Sequence, residues 1–364
     1  MYTEIVKIIE GGLVNDHKKV VSYAKHLASK LTDDGNEKLA IKILSVLKNI
    51  KGMPVYQDKL FTAPVDNETR LNIANIITPP EIKLNIKISE SIKDSIDEFI
   101  DIVNAKNKLS KLGIDVNSSL LLYGPPGAGK TTIAMHIAKE LDLPLITARF
   151  DSLISSLLGS TSKNIRKLFD YANDRPCILF LDEFDAIAKA RNDSHEMGEL
   201  KRVINSLLQN IDEFTQNNIL IAATNHEELL DKAIWRRFEK VIEIGKPNID
   251  EIIDLINLFL KNVEIDFKND EKKLKILSGE FHSLSHSEIK KIINSSVSKS
   301  VINNKNIVSF EYFLLEIFLY KNHNIKDTDK AVKYLNELGV SQNTIKDIFD
   351  ISLRQVRNIL IPLL

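Results

Sequence analysis

Apolar residues run unbroken at 120–123 (Leu-Leu-Leu-Tyr), 177–181 (Cys-Ile-Leu-Phe-Leu) and 219–223 (Ile-Leu-Ile-Ala-Ala). Runs that do not alternate with polar positions fit parallel strands covered on both faces. Elsewhere the period is helical. Val20, Ala24, Leu27 and Leu31 form one stripe, and Leu39, Ile43, Leu44 and Leu47 another, with the turn Asp33-Asp34-Gly35-Asn36 between them. Ile5, Ile8 and Ile9 add a short first helix, so residues 1–50 are expected to form a small antiparallel bundle. Residues 51–82 hold Gly52, Pro54, Pro64, Pro79 and Pro80 without strong periodicity and read as a linker. Near the C-terminus a helix is predicted over 328–338, stopped by Gly339. Ser341 then caps 342–349 and Ser352 caps 353–361, giving a trihelical tail over 325–364.

The chemistry sits at the ends of the apolar runs. The first feeds Gly124-Pro125-Pro126-Gly127-Ala128-Gly129-Lys130-Thr131-Thr132, and a helix is predicted over 133–141. A glycine-rich turn between strand and helix lets successive N–H groups converge on phosphate oxygens, and the helix end attracts anions. Lys130 is placed to reach the β and γ phosphates of a nucleoside triphosphate, and the Thr131 hydroxyl to ligate Mg²⁺. The second run ends in Asp182, suited to hold the Mg²⁺ shell, and Glu183, suited to polarise an attacking water. Glu183-Phe184-Asp185 could equally open the next helix as an acidic cap. The third run leads to Asn225, whose amide can orient that water. Arg236 and Arg237 read either as an exposed basic helix end or as fingers neutralising transition-state charge in a neighbouring subunit.

Gly-Pro-Pro-Gly-Ala-Gly-Lys-Thr at 124–131, Leu-Asp-Glu at 181–183, Ala-Ala-Thr-Asn at 222–225 and Ala-Ile-Trp-Arg-Arg-Phe-Glu at 233–239 occur in that order. In order and spacing they resemble the AAA ATPases, within them the protein-remodelling branch of katanin, spastin and the bacterial and mitochondrial membrane proteases. The resemblance spans residues 83–320. It implies an α/β fold, the P-loop nucleoside triphosphatase type with a doubly wound parallel sheet at 83–246 and a small helical lid at 247–322. It implies ATP and Mg²⁺ as cofactors, with phosphate binding at Lys130 and Thr131, metal coordination at Asp182, the catalytic base at Glu183 and water sensing at Asn225. Arg236 and Arg237 then act in trans, in a homo-oligomeric ring, usually of six, with ATP between subunits.

Two departures from that family stand out. An aromatic, an aliphatic and a glycine line the family's central pore and grip extended polypeptide; here the matching residues are Leu157, Leu158 and Gly159, after Ser156. Leu157 lacks the contact area and amphipathic character of a ring, so Leu157 and Leu158 form either an apolar pore ring or a cover for the sheet. In the lid, Ser283-Leu284-Ser285-His286-Ser287-Glu288-Ile289 replaces the family's Gly-Tyr-Ser-Gly and acidic helix start. Ser287, or alternatively Ser285, caps a helix running to about Asn303. His286 takes a glycine position that lies near adenine and ribose in the family; it reads as a nucleotide contact, or as a solvent-facing or cap-proximal histidine.

With 364 residues, 43% hydrophobic and a net charge of −1, the chain is long enough for two or three packed domains and carries no global field for nucleic acid or membrane. No apolar stretch reaches membrane-spanning length and the first residues lack a basic-then-apolar signal, so a cytoplasmic protein is expected. The zinc-binding His-Glu-x-x-His of the membrane proteases is absent, and the one cysteine, Cys177, reads as packing. The tail resembles a helix-turn-helix, with Arg354, Gln355, Arg357 and Asn358 on the polar side of its third helix. Its balanced charge favours protein docking over DNA binding. Three functions compete: a ring remodelling a protein substrate, a DNA-associated ATPase, and a regulatory ATPase serving a separately encoded partner. For the last, residues 151–156 and 196–203 resemble bacterial AAA proteins encoded beside subtilisin-like proteases in phage-defence gene pairs.

Overall fold

The computed structural model describes residues 64, 73–82, 84, 87–149, 158–186, 197–216, 218–268, 270–302, 307–323 and 327–361, with scattered positions between 5 and 43. The chain divides into two compact units, Met1–Thr62 and Ala63–Leu364. In the first unit the described positions are helical, and Leu27, Ala28, Leu31 and Ala40 form a small core flanked by Ile8 and Ile43. The second stripe is rotated from its expected face: Ala40 is buried and Leu39 is 47% exposed. The turn at 33–36, Leu44 and Leu47 lie outside the described residues.

The second unit is built on a six-stranded sheet of β1 (Asn75–Ile77), β2 (Ser119–Tyr123), β3 (Leu145–Arg149), β4 (Ile178–Asp182), β5 (Ile219–Thr224) and β6 (Lys240–Glu243), in the order β1-β3-β4-β5-β2-β6. All neighbours are parallel except the edge strand β1, which pairs antiparallel with β3. Residues 73–82 are therefore part of the fold, where a linker was expected. Three partly exposed residues at a sheet edge are too few to show a period. Pro79 and Pro80 open a 3₁₀ turn, Pro79–Glu81, closed by a Thr78–Glu81 capping box.

The unbroken apolar runs are explained by cover on both faces. Leu120, Leu122, Phe180 and Ile221 face α1 (Glu90–Lys111) and α2 (Lys130–Glu140), packing on Phe99, Ile133 and Ile137. Leu121, Leu179, Leu181 and Leu220 face the other way, onto α3 (Leu158–Asn173) and α4 (Met197–Thr215), where Phe169 meets Phe214 edge to face at 5.5 Å. Cys177 packs here as expected; burial pushes its thiol pKa up to about 12, which keeps it unreactive.

After the short α5 (Lys232–Trp235) the chain turns helical: α6 (Ile249–Phe259), α7 (Glu271–Phe281), α8 (His286–Ile302), α9 (Phe310–Lys321), α10 (Thr328–Glu337), α11 (Gln342–Phe349) and α12 (Leu353–Leu360). The caps read from the sequence hold: Ser341 accepts from Thr344 N–H, Ser352 from Gln355 N–H, and Gly339 takes φ +86° after α10. The tail is not a separate body, however. Val332, Leu335, Val340, Ile345 and Val356 share one core with Phe281, Phe313 and Ile317 of α7 and α9. Glu280 accepts from both Lys321 Nζ (2.6 Å) and Tyr334 OH (2.8 Å), and burial with that carboxylate holds the Tyr334 phenol well above its usual range.

Candidate nucleotide site

The loop joining β2 to α2 is shaped by left-handed glycines. Gly124 (φ +136°) passes so close to Ile244 that a Cβ would stand 2.2 Å from its carbonyl oxygen. Gly127 (φ +75°) leaves only 2.1 Å between a hypothetical Cβ and Ser287 Oγ. Gly129 (φ +108°) is the N-cap of α2; it offers no side-chain cap and no acidic residue follows in the first turn, so the N–H groups there suit an anion. Lys130 is buried, its Nζ donating to the carbonyls of Gly124 (2.6 Å) and Pro125 (2.9 Å). Burial lowers its pKa, while Asp182 and Asp185 act in the opposite direction.

Across from the loop, the ends of β4 and β5 present the acidic groups. Thr131 Oγ1 donates to Asp182 Oδ2 at 3.0 Å, and the other Asp182 oxygen accepts Glu183 N–H at 3.0 Å. Glu183 adopts φ +55°, an uncommon conformation for a glutamate, and Phe184 N–H then bonds the Ala223 carbonyl at 2.9 Å. Glu183 thus follows the end of β4, and its carbonyl accepts from Ala186 N–H at 3.0 Å, where the chain turns helical again. The sequence reading named Asp185 only as part of a possible helix cap. This buried carboxylate accepts from Thr224 Oγ1 (3.2 Å) and Asn225 N–H (3.3 Å), fixing the end of β5 to the segment after β4. Its only signal in the sequence was a second carboxylate two positions beyond Glu183.

A cavity of about 790 Å³ joins these groups. Pro126 to Thr132, Asp182, Glu183 and Asn225 line one end; Ile88, Ile92, Leu255, Phe259, Glu251 and His286 line the other. Gly124 and Pro125 stand behind it, holding Lys130. Ser285, not Ser287, caps α8: Glu288 N–H donates to Ser285 Oγ (3.4 Å) and Ser285 N–H to Glu288 Oε2 (2.7 Å). Ser287 is inside the helix because its N–H already serves the Gly127 carbonyl at 3.1 Å, joining lid to loop. Burial alone would raise the Glu288 pKa; bonds from Ser285 and Tyr320 bring it below the usual carboxylate range. His286 is half-buried with Nδ1 sealed and unpartnered, and burial lowers its pKa against the opposing pull of Glu251. His286 is thus not solvent-facing, but it directly follows the cap Ser285, as the cap-proximal alternative has it.

The arginines lie away from this cavity, after α5: Arg236 is exposed and Arg237 pairs with Asp212. Leu157 lies outside the described residues, and Leu158 opens α3. The site fits the groups the sequence reading expected. The cavity has the size of a small-molecule site, and one hydroxyl with one carboxylate is a donor set suited to Mg²⁺, which takes its remaining ligands from phosphate and water.

The family pattern described as "ATPase family associated with various cellular activities (AAA)" matches residues 120–246, from β2 through β6. Residues 120–246 are an AAA ATPase domain. The chain is similar to y4kL, an AAA family ATPase of Sinorhizobium fredii, at 42% identity over 199 residues, 55% of this chain and 59% of that protein. ATP-dependent zinc metalloprotease FtsH 2 of Thermoanaerobacter is 28% identical over 71% of this chain and 54% of its own length. A putative 26S proteasome regulatory subunit homolog of Methanocaldococcus jannaschii is 34% identical over 53% of this chain and 52% of its own. The chain spans only about half the length of these relatives. The crystal structure of the FIGL-1 AAA domain superposes with a TM-score of 0.56 at 21% identity, covering 67% of this chain and 85% of that one, which establishes a shared fold.

Proposed function

We propose that the chain hydrolyses ATP with Mg²⁺ and uses the cycle to remodel a protein substrate or drive a protein partner. The observation that carries the hydrolytic reading is the 3.0 Å contact of Thr131 Oγ1 with Asp182 Oδ2, with Glu183 beside it at the mouth of the phosphate loop. Thr131 and Asp182 would hold Mg²⁺, which when bound supplies charge neutralisation on the phosphates. Lys130 exchanges its loop carbonyls for phosphate oxygens, Glu183 takes the proton of the attacking water, and Asn225 orients that water. His286 meets the nucleoside end beside Leu255 and Phe259.

Phosphoryl transfer depends on positioning and charge, so the carboxylate of Glu183 is the sensitive group. Glu183→Gln is expected to bind ATP with wild-type affinity and lose turnover, read by equilibrium binding and phosphate release. Near-wild-type hydrolysis by that variant would remove Glu183 from the role of base. A ring homo-oligomer, with ATP between subunits and Arg236 and Arg237 near the neighbour's site, accounts for arginines placed outside their own cavity. The protein substrate is supported by the names of the relatives, proteolytic and proteasomal, and the partner could be a subtilisin-like protease in antiphage defence. The genes flanking this one test that partner.

A further inference from the structure

Glu183 and Asn225 follow different strands, and the sheet alone does not fix the gap between them. The parallel ladder of β4 and β5 ends at Leu181 opposite Ala222, short of both residues. Beyond it, other ties take over. Phe184 N–H donates to the Ala223 carbonyl at 2.9 Å, and the Phe184 ring is fully buried, edge-on to Phe238 at 5.9 Å. Oδ1 of Asp185 then accepts two bonds from the end of β5, from Thr224 Oγ1 at 3.2 Å and from Asn225 N–H at 3.3 Å. The Thr224 hydroxyl oxygen accepts in turn from His226 N–H at 3.1 Å, so the backbone on both sides of Asn225 hangs on one carboxylate oxygen and one hydroxyl. Asp185 is 3% exposed and stands behind the cavity wall that Glu183 and Asn225 line.

We propose that Asp185 is a positioning residue for hydrolysis: it sets the amide of Asn225 at the spacing from Glu183 that holds the attacking water between them. The proposal rests on the hydrolytic reading above, in which Glu183 takes the proton and Asn225 orients the water. Asp185 can do this because it belongs to the same short segment as Glu183. The Glu183 N–H is held by Asp182 Oδ1 and its carbonyl by Ala186 N–H, both at 3.0 Å, so Asp185 lies inside a turn whose two ends are tied. From there its charge-assisted bonds reach the residue that carries the amide, and such bonds are stronger than neutral ones. A misplacement of about 1 Å can cost about a hundredfold in rate, which is what gives a carboxylate outside the cavity its leverage. The charge of Asp185 also favours the protonated form of Lys130, so bond and charge call for separate variants.

The test measures kcat, and ATP affinity by equilibrium titration, for Asp185→Ala, Asp185→Asn, Asn225→Ala and the Asp185→Ala/Asn225→Ala double variant. Thermal melting checks that each is folded. Asp185→Ala is expected to lower kcat by about a hundredfold while ATP affinity stays within about threefold of wild type. Asp185→Asn, whose amide oxygen can accept the same two bonds, is expected to recover most of that loss. The double variant is expected to turn over no more slowly than Asn225→Ala, because a residue that acts through Asn225 then has nothing left to position. A general loss of structure would multiply with Asn225→Ala instead, and that additive result overturns the proposal. So does an Asp185→Asn variant as slow as Asp185→Ala, which would make the charge facing Lys130 the cause. Should Asp185→Ala not fold, the other end of the bond carries the test: Thr224→Val is expected to lower kcat by about tenfold, and Thr224→Ser to keep most of it. Equal turnover of those two overturns the proposal. Wild-type turnover in Asn225→Ala would remove the water-orienting reading itself, a failure distinct from the others.

Discussion

Gly127 shows how much a single position carries in this site. At φ +75° an alanine costs about 1–2 kcal/mol in backbone strain. Its Cβ would also stand 2.1 Å from Ser287 Oγ and 2.8 Å from Ser285 Oγ, so the lid would have to retreat. Gly127→Ala is expected to weaken ATP binding by about tenfold or more, a free energy of about 1.4 kcal/mol, and Ser287→Gly in the same chain to recover part of it. Titration with a fluorescent ATP analogue reads both; no recovery would mean that strain, not the lid contact, sets the loss. The glycine itself was legible in the sequence, because strand, glycine-rich turn and helix are consecutive. Ser287, its opposite number, was read as a cap. Nothing local to 283–289 says that an N–H there answers a carbonyl of the phosphate loop.

Element by element, what could be read followed how local its cause is. The buried strands and the caps at Ser341 and Ser352 depend on neighbours within a few residues, and the structure places them where the pattern did. Strand β1 gave no signal because three partly exposed residues show no period, and only pairing with β3 makes them a strand. The apolar faces of α10 to α12 announced that something covers them but not that α7 and α9 do so. That shared core has a measurable consequence. Ile345 is fully buried in it, and Ile345→Ala is expected to destabilise the lid by about 2–5 kcal/mol. Amide hydrogen exchange should then rise together in α7, α9 and α10. Unchanged protection in α7 and α9 would show the last three helices to be independent after all.

For the whole molecule, charge limits the choice of partner. In α10 to α12 and their caps, Lys330, Lys333, Lys346, Arg354 and Arg357 are matched by Asp327, Asp329, Glu337, Asp347 and Asp350. Gln355, one of the residues aligned to read bases, spends its carbonyl oxygen on the Ser352 N–H and hydroxyl, both at 2.8 Å. The intact protein is therefore expected to show no salt-dependent affinity for duplex DNA in a gel shift and salt titration; tight binding that falls with salt and stimulates hydrolysis would reverse this assignment. Among the described residues no helix is long and apolar enough to cross a membrane. The core shared by lid and tail also bears on synthesis. On the ribosome, the helices around Phe281 and Phe313 emerge well before Val356, so a chain paused between those points displays an uncovered apolar face of the kind that chaperones hold.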